Sequence, residues 1–194
     1  GKEYLMEDFF YAGGLRALMV ELGDKLDLSV KTVTGKTLGE CVKGAKNYNS
    51  DVIRTLGNPV YHEGSLAVLK GNLAPDGAVI KPAAMDPKFQ KHRGPAIVAN
   101  SYSELKEIIN DENYPITADH ILVLRNAGPK GGPGMPEWGM IPMPKALLKQ
   151  GHRDMIRLSD ARMSGTSYGA CILHVAPEAY IGGPLALIKN GDII

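Results

Sequence analysis

Only two cysteines occur in the 194 residues, Cys41 and Cys171, and neither belongs to a C-x-x-C pair. That excludes a disulfide scaffold and leaves too few thiolates for a zinc site or an iron–sulfur cluster built from this chain alone. Charge of one sign is equally scarce. The formal net charge is +1 and there is no basic run, so a nucleic-acid footprint or an anionic-membrane patch has no electrostatic basis. Apolar runs such as "AIVA" and "ILVL" fall far short of the roughly 20 residues of a bilayer span. No N-x-[ST] sequon, internal repeat or low-complexity tract occurs. These absences point to a soluble, cytoplasmic protein with reduced thiols.

What remains is ample for a core, since 44% of the residues are apolar. Leu15, Leu18, Met19 and Leu22 recur at helical spacing ahead of Gly23, so residues 1–30 read as a helical lead-in arm. Thr37-Leu-Gly-Glu40 has capping-box spacing. Short apolar runs follow, at 66–69, 78–80, 96–99, 121–124, 155–158, 171–175 and 185–188. Ser101-Tyr-Ser-Glu104 predicts a helix to about Asn110, and Pro144 another that stops at Gly151. Strands outnumber helices without strict alternation. That pattern predicts a mixed α/β domain with a curved or barrel-like sheet and flanking helices. "LALIKNGDII" predicts a hairpin turning at Asn190-Gly191. Its short return arm, and the lack of a Met at the front, lead us to expect a piece of a larger protein.

Two motifs fail on inspection. "VKTVTGKT" ends like a phosphate-binding loop, but Val30 stands where its first glycine belongs. A turn at Gly35 before a capped helix is the simpler reading, and a P-loop phosphotransferase is the remote alternative. "HEGSL" starts like a zinc-protease helix, but Leu66 replaces the second histidine.

Two loops carry more weight. "NAGPKGGPGMPEWGMIPMP" (126–144) follows "ILVL" and is stiff, glycine-rich and almost free of acids. Its Glu137 suits a hard cation such as magnesium, or else sits on an ordinary surface connection. "SDARMSGTSYG" (159–169) is dense in hydroxyls. A nucleophilic serine usually has an imidazole beside it. Here His152 is cut off by an apolar strand, and His174, within another strand, reads as a satisfied core histidine. A nearby cation would be a different route to a basic serine, because it lowers the cost of the alkoxide. The alternative is a turn bonded to its own backbone. If loops at the same strand ends converge, Glu137 and Ser164 face one pocket.

Taken in order, "TVTGKTLGE", "GNLAPDGAVIK", "GPKGGPGMPE", "SDARMSGTSYG" and "HVAPEAYIGGPLALIKNGD" resemble the dihydroxy-acid and sugar-acid dehydratase family over nearly the whole chain. "EWGMIPMP" and "SDARMSGT" are similar to its sugar-acid branch, which acts on arabinonate, xylonate and related aldonates. The resemblance implies that residues 1–194 are the single smaller, C-terminal domain, with a swivelling β/β/α form. It implies an N-terminal domain, absent here, that holds the iron–sulfur cluster and the remaining magnesium ligands. The implied reaction removes water from a 2,3-dihydroxy acid to give a 2-keto-3-deoxy acid. Ser164 would be the base that takes the C2 proton, and Glu137 a magnesium ligand. Thr166 would bond substrate or alkoxide, and Asp160 and Arg162 would bind substrate or orient the loop. The implied partners are a small sugar acid, the N-terminal domain and further copies of a homo-oligomer, with no nucleic acid and no membrane. Dihydroxy-acid or phosphogluconate dehydratase is the nearest alternative, and a non-catalytic sugar-acid-binding domain the more distant one.

Overall fold

The computed structural model describes residues 3–134 and 141–194, which fall into two compact units, Gly1–Glu63 and Gly64–Ile194.

The first unit holds helices α1 (Met6–Tyr11), α2 (Gly14–Leu22) and α3 (Leu38–Val42). Its small core is Ala12, Ala17 and Ile53, with Phe9, Leu18 and Val52 against it. The apolar stripe expected on α2 is therefore only partly used, and Leu15 is 57% exposed. Small residues decide this. A Cβ on Gly13 would lie 2.3 Å from the Lys46 carbonyl oxygen, so the chain at 46–48 approaches too closely for larger side chains. Around α3 the capping box forms as expected. Glu40 N–H donates to Thr37 Oγ1 at 3.2 Å and Thr37 N–H to Glu40 Oε2 at 2.7 Å. The Thr37 N–H and, second, the Thr37 hydroxyl donate to the Glu40 carboxylate and hold it below its usual range. Gly35 turns the chain before it.

The second unit is built on a six-stranded sheet of β1 (Ala67–Gly71), β2 (Ala74–Ile80), β3 (Ala96–Ala99), β4 (Ile121–Leu124), β5 (Arg157–Ser159) and β6 (Cys171–Ala176). The spatial order is β1-β2-β6-β5-β4-β3. β3 to β6 run parallel, while β2 is antiparallel to both β1 and β6. The sheet is mixed and flanked by helices, as expected, but open and not closed into a barrel.

Burial on both faces explains the unbroken apolar runs of β3 and β4. In β4, Ile121 and Val123 enter one core with Val98, Leu158 and Val175, and Leu122 and Leu124 the other. That second core is closed by α4 (Tyr102–Asn110) and α5 (Lys145–Lys149). α4 presents Leu105, Ile108 and Ile109 at i, i+3, i+4 and is capped by Ser101 Oγ, which accepts the Glu104 N–H at 3.2 Å.

One expectation fails. Residues 185–188 are not a strand: Pro184–Leu187 form a 3₁₀ turn. Pro184 fixes φ and lacks a donor, Leu185 and Ile188 plunge into the core, and the Arg125 guanidinium takes the carbonyls of Ala186 (2.6 Å) and Ile188 (3.1 Å). The Asn190-Gly191 turn does form, but its return arm pairs elsewhere. Ile193 bridges Pro95, the Asp192 carbonyl accepts from Ala96 N–H, and Asn190 Oδ1 from Val98 N–H at 2.6 Å. This arm plugs the outer edge of β3. β1 forms the opposite border, with Val68 70% and Leu69 38% exposed.

Candidate active site

Because β4, β5 and β6 are parallel, the segments leaving their carboxyl ends meet, and buried acids bind them together. Asp160 follows directly on β5 and is 1% exposed. Its Oδ1 accepts from Ala127 N–H (2.9 Å), and its Oδ2 from Asn126 (3.2 Å) and Ala179 (2.9 Å). Burial pushes the Asp160 carboxyl above its usual range, the three N–H bonds oppose that, and the Glu178 charge adds to the rise. One carboxylate thus joins three loops, which is the geometry of an orienting residue.

Glu178, 7% exposed, is the second tie. Its carboxylate accepts from Lys130 N–H at 2.9 and 3.1 Å and from Gly131 N–H at 3.3 Å. Gly128 is required here, since a Cβ on it would lie 2.1 Å from Glu178 Oε2. Both acids therefore shape the glycine-rich loop that carries Glu137. Glu137 itself lies outside the described residues, and with it the expectation that it shares a pocket with Ser164.

The hydroxyl-rich segment does not stay at the strand ends. It returns along β6: His174 N–H donates to the Ala161 carbonyl at 2.9 Å, and Met163 N–H to His174 Nε2 at 2.7 Å. An imidazole nitrogen that accepts is unprotonated, and burial, with the Arg162 charge second, holds His174 below its usual range. The satisfied histidine of the strand thus has a role the sequence did not reveal. It fixes the residue just before Ser164.

Ser164 is half-buried and closes a tight turn, its carbonyl accepting from Ser167 N–H at 3.1 Å. Its Oγ accepts from Thr166 N–H at 3.2 Å and lies 2.8 Å from Thr166 Oγ1. Both neighbours can donate, and donors to an oxygen favour its charged form. Thr166 and Arg162 are exposed. Ser167 Oγ is buried without a partner among the described residues.

The foot of the loop rests on a buried ion pair, Arg157–Asp154 at 3.1 Å. Arg157 also donates to the carbonyls of Tyr168 (2.7 Å) and Ile141 (2.8 Å), while Asp154 accepts from Ala170 N–H (2.9 Å) and Asp86 N–H (3.0 Å). Lys81 completes the support. β2 is antiparallel to β6, with Gly77 opposite Ala176 and Val79 opposite Leu173, so Lys81 arrives where the loop returns. Its ammonium donates to the carbonyls of Ser164 (3.0 Å) and Gly165 (2.8 Å).

A cleft of about 550 Å³ is lined by Asp76, Lys130, Asp160, His174 and Glu178, among others. A hollow of about 460 Å³ lies beside Asn100, Arg125 and Asn126. Ser164 lines neither. Among the described residues no group of three or more His, Cys, Asp or Glu side chains could hold a metal. Cys171 is buried, its thiol pushed up by burial and donating to the Tyr168 carbonyl. None of the described helices is long and apolar enough to cross a membrane.

The chain is also similar in sequence to known proteins. The chain is 52% identical to 6-deoxy-6-sulfo-D-gluconate dehydratase of Pseudomonas putida over 98% of its own length and 33% of that relative. It is 51% identical to L-arabonate dehydratase of Azospirillum brasilense over 97% of the chain and 33% of the relative. It is 46% identical to dihydroxy-acid dehydratase of Methanothrix thermoacetophila over 100% of the chain and 36% of the relative. The chain thus spans about a third of the length of these relatives. Residues 51–194 match the family described as dihydroxy-acid/6-phosphogluconate dehydratase, C-terminal, and the chain belongs to that family.

Proposed function

We propose that this chain is the C-terminal part of a hydro-lyase that converts a 2,3-dihydroxy sugar acid into its 2-keto-3-deoxy acid, with Ser164 as the base. The observation that carries this reading is the setting of Ser164 Oγ, between a backbone N–H and a second hydroxyl on a loop anchored by Lys81, His174 and Arg157. The C2 proton passes to Ser164 Oγ and the C2–H electron pair becomes the C2–C3 double bond. The C3–O bond breaks, its oxygen leaves as water with the equivalent of the proton that Ser164 took up, which restores the base, and the enol ketonises. Thr166 holds the serine oxygen and lies exposed, open to the substrate. Arg162, also exposed, suits the acid's carboxylate, and Asp160 orients the loops beneath. Bound at Glu137 and at ligands beyond this chain, magnesium would supply positive charge near the reacting atoms, and an iron–sulfur cluster held elsewhere would supply Lewis acidity at the leaving oxygen.

Ser164 lines neither cleft, so a closed reaction chamber needs another surface. We assign that surface to an N-terminal domain of the same, larger cytoplasmic enzyme, a homo-oligomer. The sugar-acid relatives support an aldonate substrate. The 46% identity to a dihydroxy-acid dehydratase supports a branched dihydroxy acid as the second reading.

The test is made in the catalytically competent protein carrying this chain, assayed against aldonates, a 6-phosphoaldonate and a branched dihydroxy acid. Ser164→Ala should lose at least about 10²-fold in kcat, the low end for a positioned base, while still binding substrate. Turnover of that variant at the normal rate removes Ser164 from the mechanism.

A further inference from the structure

We propose that Lys81 is a positioning residue for Ser164: by clamping two successive carbonyls it sets the turn that presents the serine hydroxyl, and its charge favours the ionised form of that hydroxyl. This inference rests on the reading of Ser164 as the base.

The two residues are 83 positions apart, yet the ammonium meets the Ser164 and Gly165 carbonyls at 3.0 and 2.8 Å. Lys81 is half-buried, and two of its three donors go to these carbonyls where water would serve an exposed ammonium. The consequence follows from peptide geometry. In a trans peptide the C=O and the next N–H point in opposite directions. With the Gly165 carbonyl held by Lys81, the Thr166 N–H of the same peptide points away from it, and it donates to Ser164 Oγ at 3.2 Å. Lys81 thereby orients one of the two groups that stabilise charge on the serine oxygen. The ammonium also sits on the serine's own residue, and a positive charge at that range favours an anion. His174 and Arg157 hold the loop through Met163 and Tyr168, so they can fix its path without bringing a charge to Ser164.

The experiment compares Lys81→Met, Lys81→Arg and Ser164→Ala in the catalytically competent protein. Lys81→Met should lower kcat by about ten- to a hundredfold, with KM within about threefold. It should also move the ionisation seen in the pH dependence of kcat to higher pH, a change that a merely structural clamp would not cause. Lys81→Arg, which keeps a cation and several donors, should recover part of the loss. Adding Lys81→Met to Ser164→Ala should cost nothing further. If Lys81→Met does not fold, Lys81→Gln carries the test, because it keeps a donor and drops the charge. An unshifted pH profile in either folded variant, beside an inactive Ser164→Ala, overturns the role of Lys81 and leaves the base assignment standing. Normal turnover by Ser164→Ala overturns both.

Discussion

His174 Nε2 accepts the backbone N–H of Met163 at 2.7 Å, so one strand imidazole holds the residue that precedes Ser164. Protonation would turn that nitrogen into a donor and break the bond. Burial, and then Arg162, place the folded His174 below the ordinary value of 6.5, so the unfolded chain takes up its proton first. Stability should therefore be intact above pH 6.5 and fall as pH drops towards the lower folded value. Thermal melts from pH 8 to pH 5 on wild type and His174→Gln check this (a glutamine oxygen accepts but does not titrate). Equal acid sensitivity in both proteins would show that the imidazole is not the cause.

Asp160→Asn keeps the shape of the side chain but replaces one acceptor oxygen by a donor. At least one of the Asn126, Ala127 and Ala179 amides then loses its partner inside the protein. The expected cost is about 1–3 kcal/mol in urea unfolding. A midpoint indistinguishable from wild type would mean that the three loops are not fastened there.

Gly169 and Gly182 both have positive φ, at 81° and 84°, but their surroundings differ. A Cβ on Gly169 would lie 2.2 Å from the Arg157 guanidinium and 2.3 Å from Asp154 Oδ1, whereas one on Gly182 meets nothing within 4 Å. Gly182→Ala should cost about 1–2 kcal/mol from backbone strain alone. Gly169→Ala should cost about 3 kcal/mol or more, because crowding adds to that strain. Equal losses would show that the ion pair gives way without penalty.

Arg157→Met removes one half of the buried Arg157–Asp154 pair and leaves a carboxylate 5% exposed without its cation. The expected destabilisation is about 3–5 kcal/mol. The double variant Arg157→Met/Asp154→Leu should recover part of it. Denaturant curves of the three proteins measure the recovery, and no recovery would place the cost in the Tyr168 and Ile141 carbonyls instead.

Local signals were legible where one neighbourhood decides the outcome. The Ser101 cap, the Thr37–Glu40 box and the apolar runs of β3 and β4 follow from nearby residues and simple burial. The strand expected at 185–188 failed because its carbonyls are claimed by Arg125, some sixty positions earlier (61 and 63). Serine density and glycine content marked the candidate loops. Their fasteners were invisible: Lys81, Glu178 and the Arg157–Asp154 pair are ordinary charged residues until folding brings backbone amides and carbonyls to them. Lys81 did close a motif that carried the family resemblance, but nothing in the spacing linked it to Ser164.

The two borders of the sheet also differ in how they can meet other chains. At β3 the amide of Val98 is taken by Asn190, and Ala96 is paired with the terminal arm, so no foreign strand can dock there without evicting 190–194. Among the described residues of this unit no strand pairs with the outer side of β1, and Val68 and Leu69 leave it sticky. Edge-to-edge growth into aggregates would therefore start from β1, with Lys70 as its built-in deterrent.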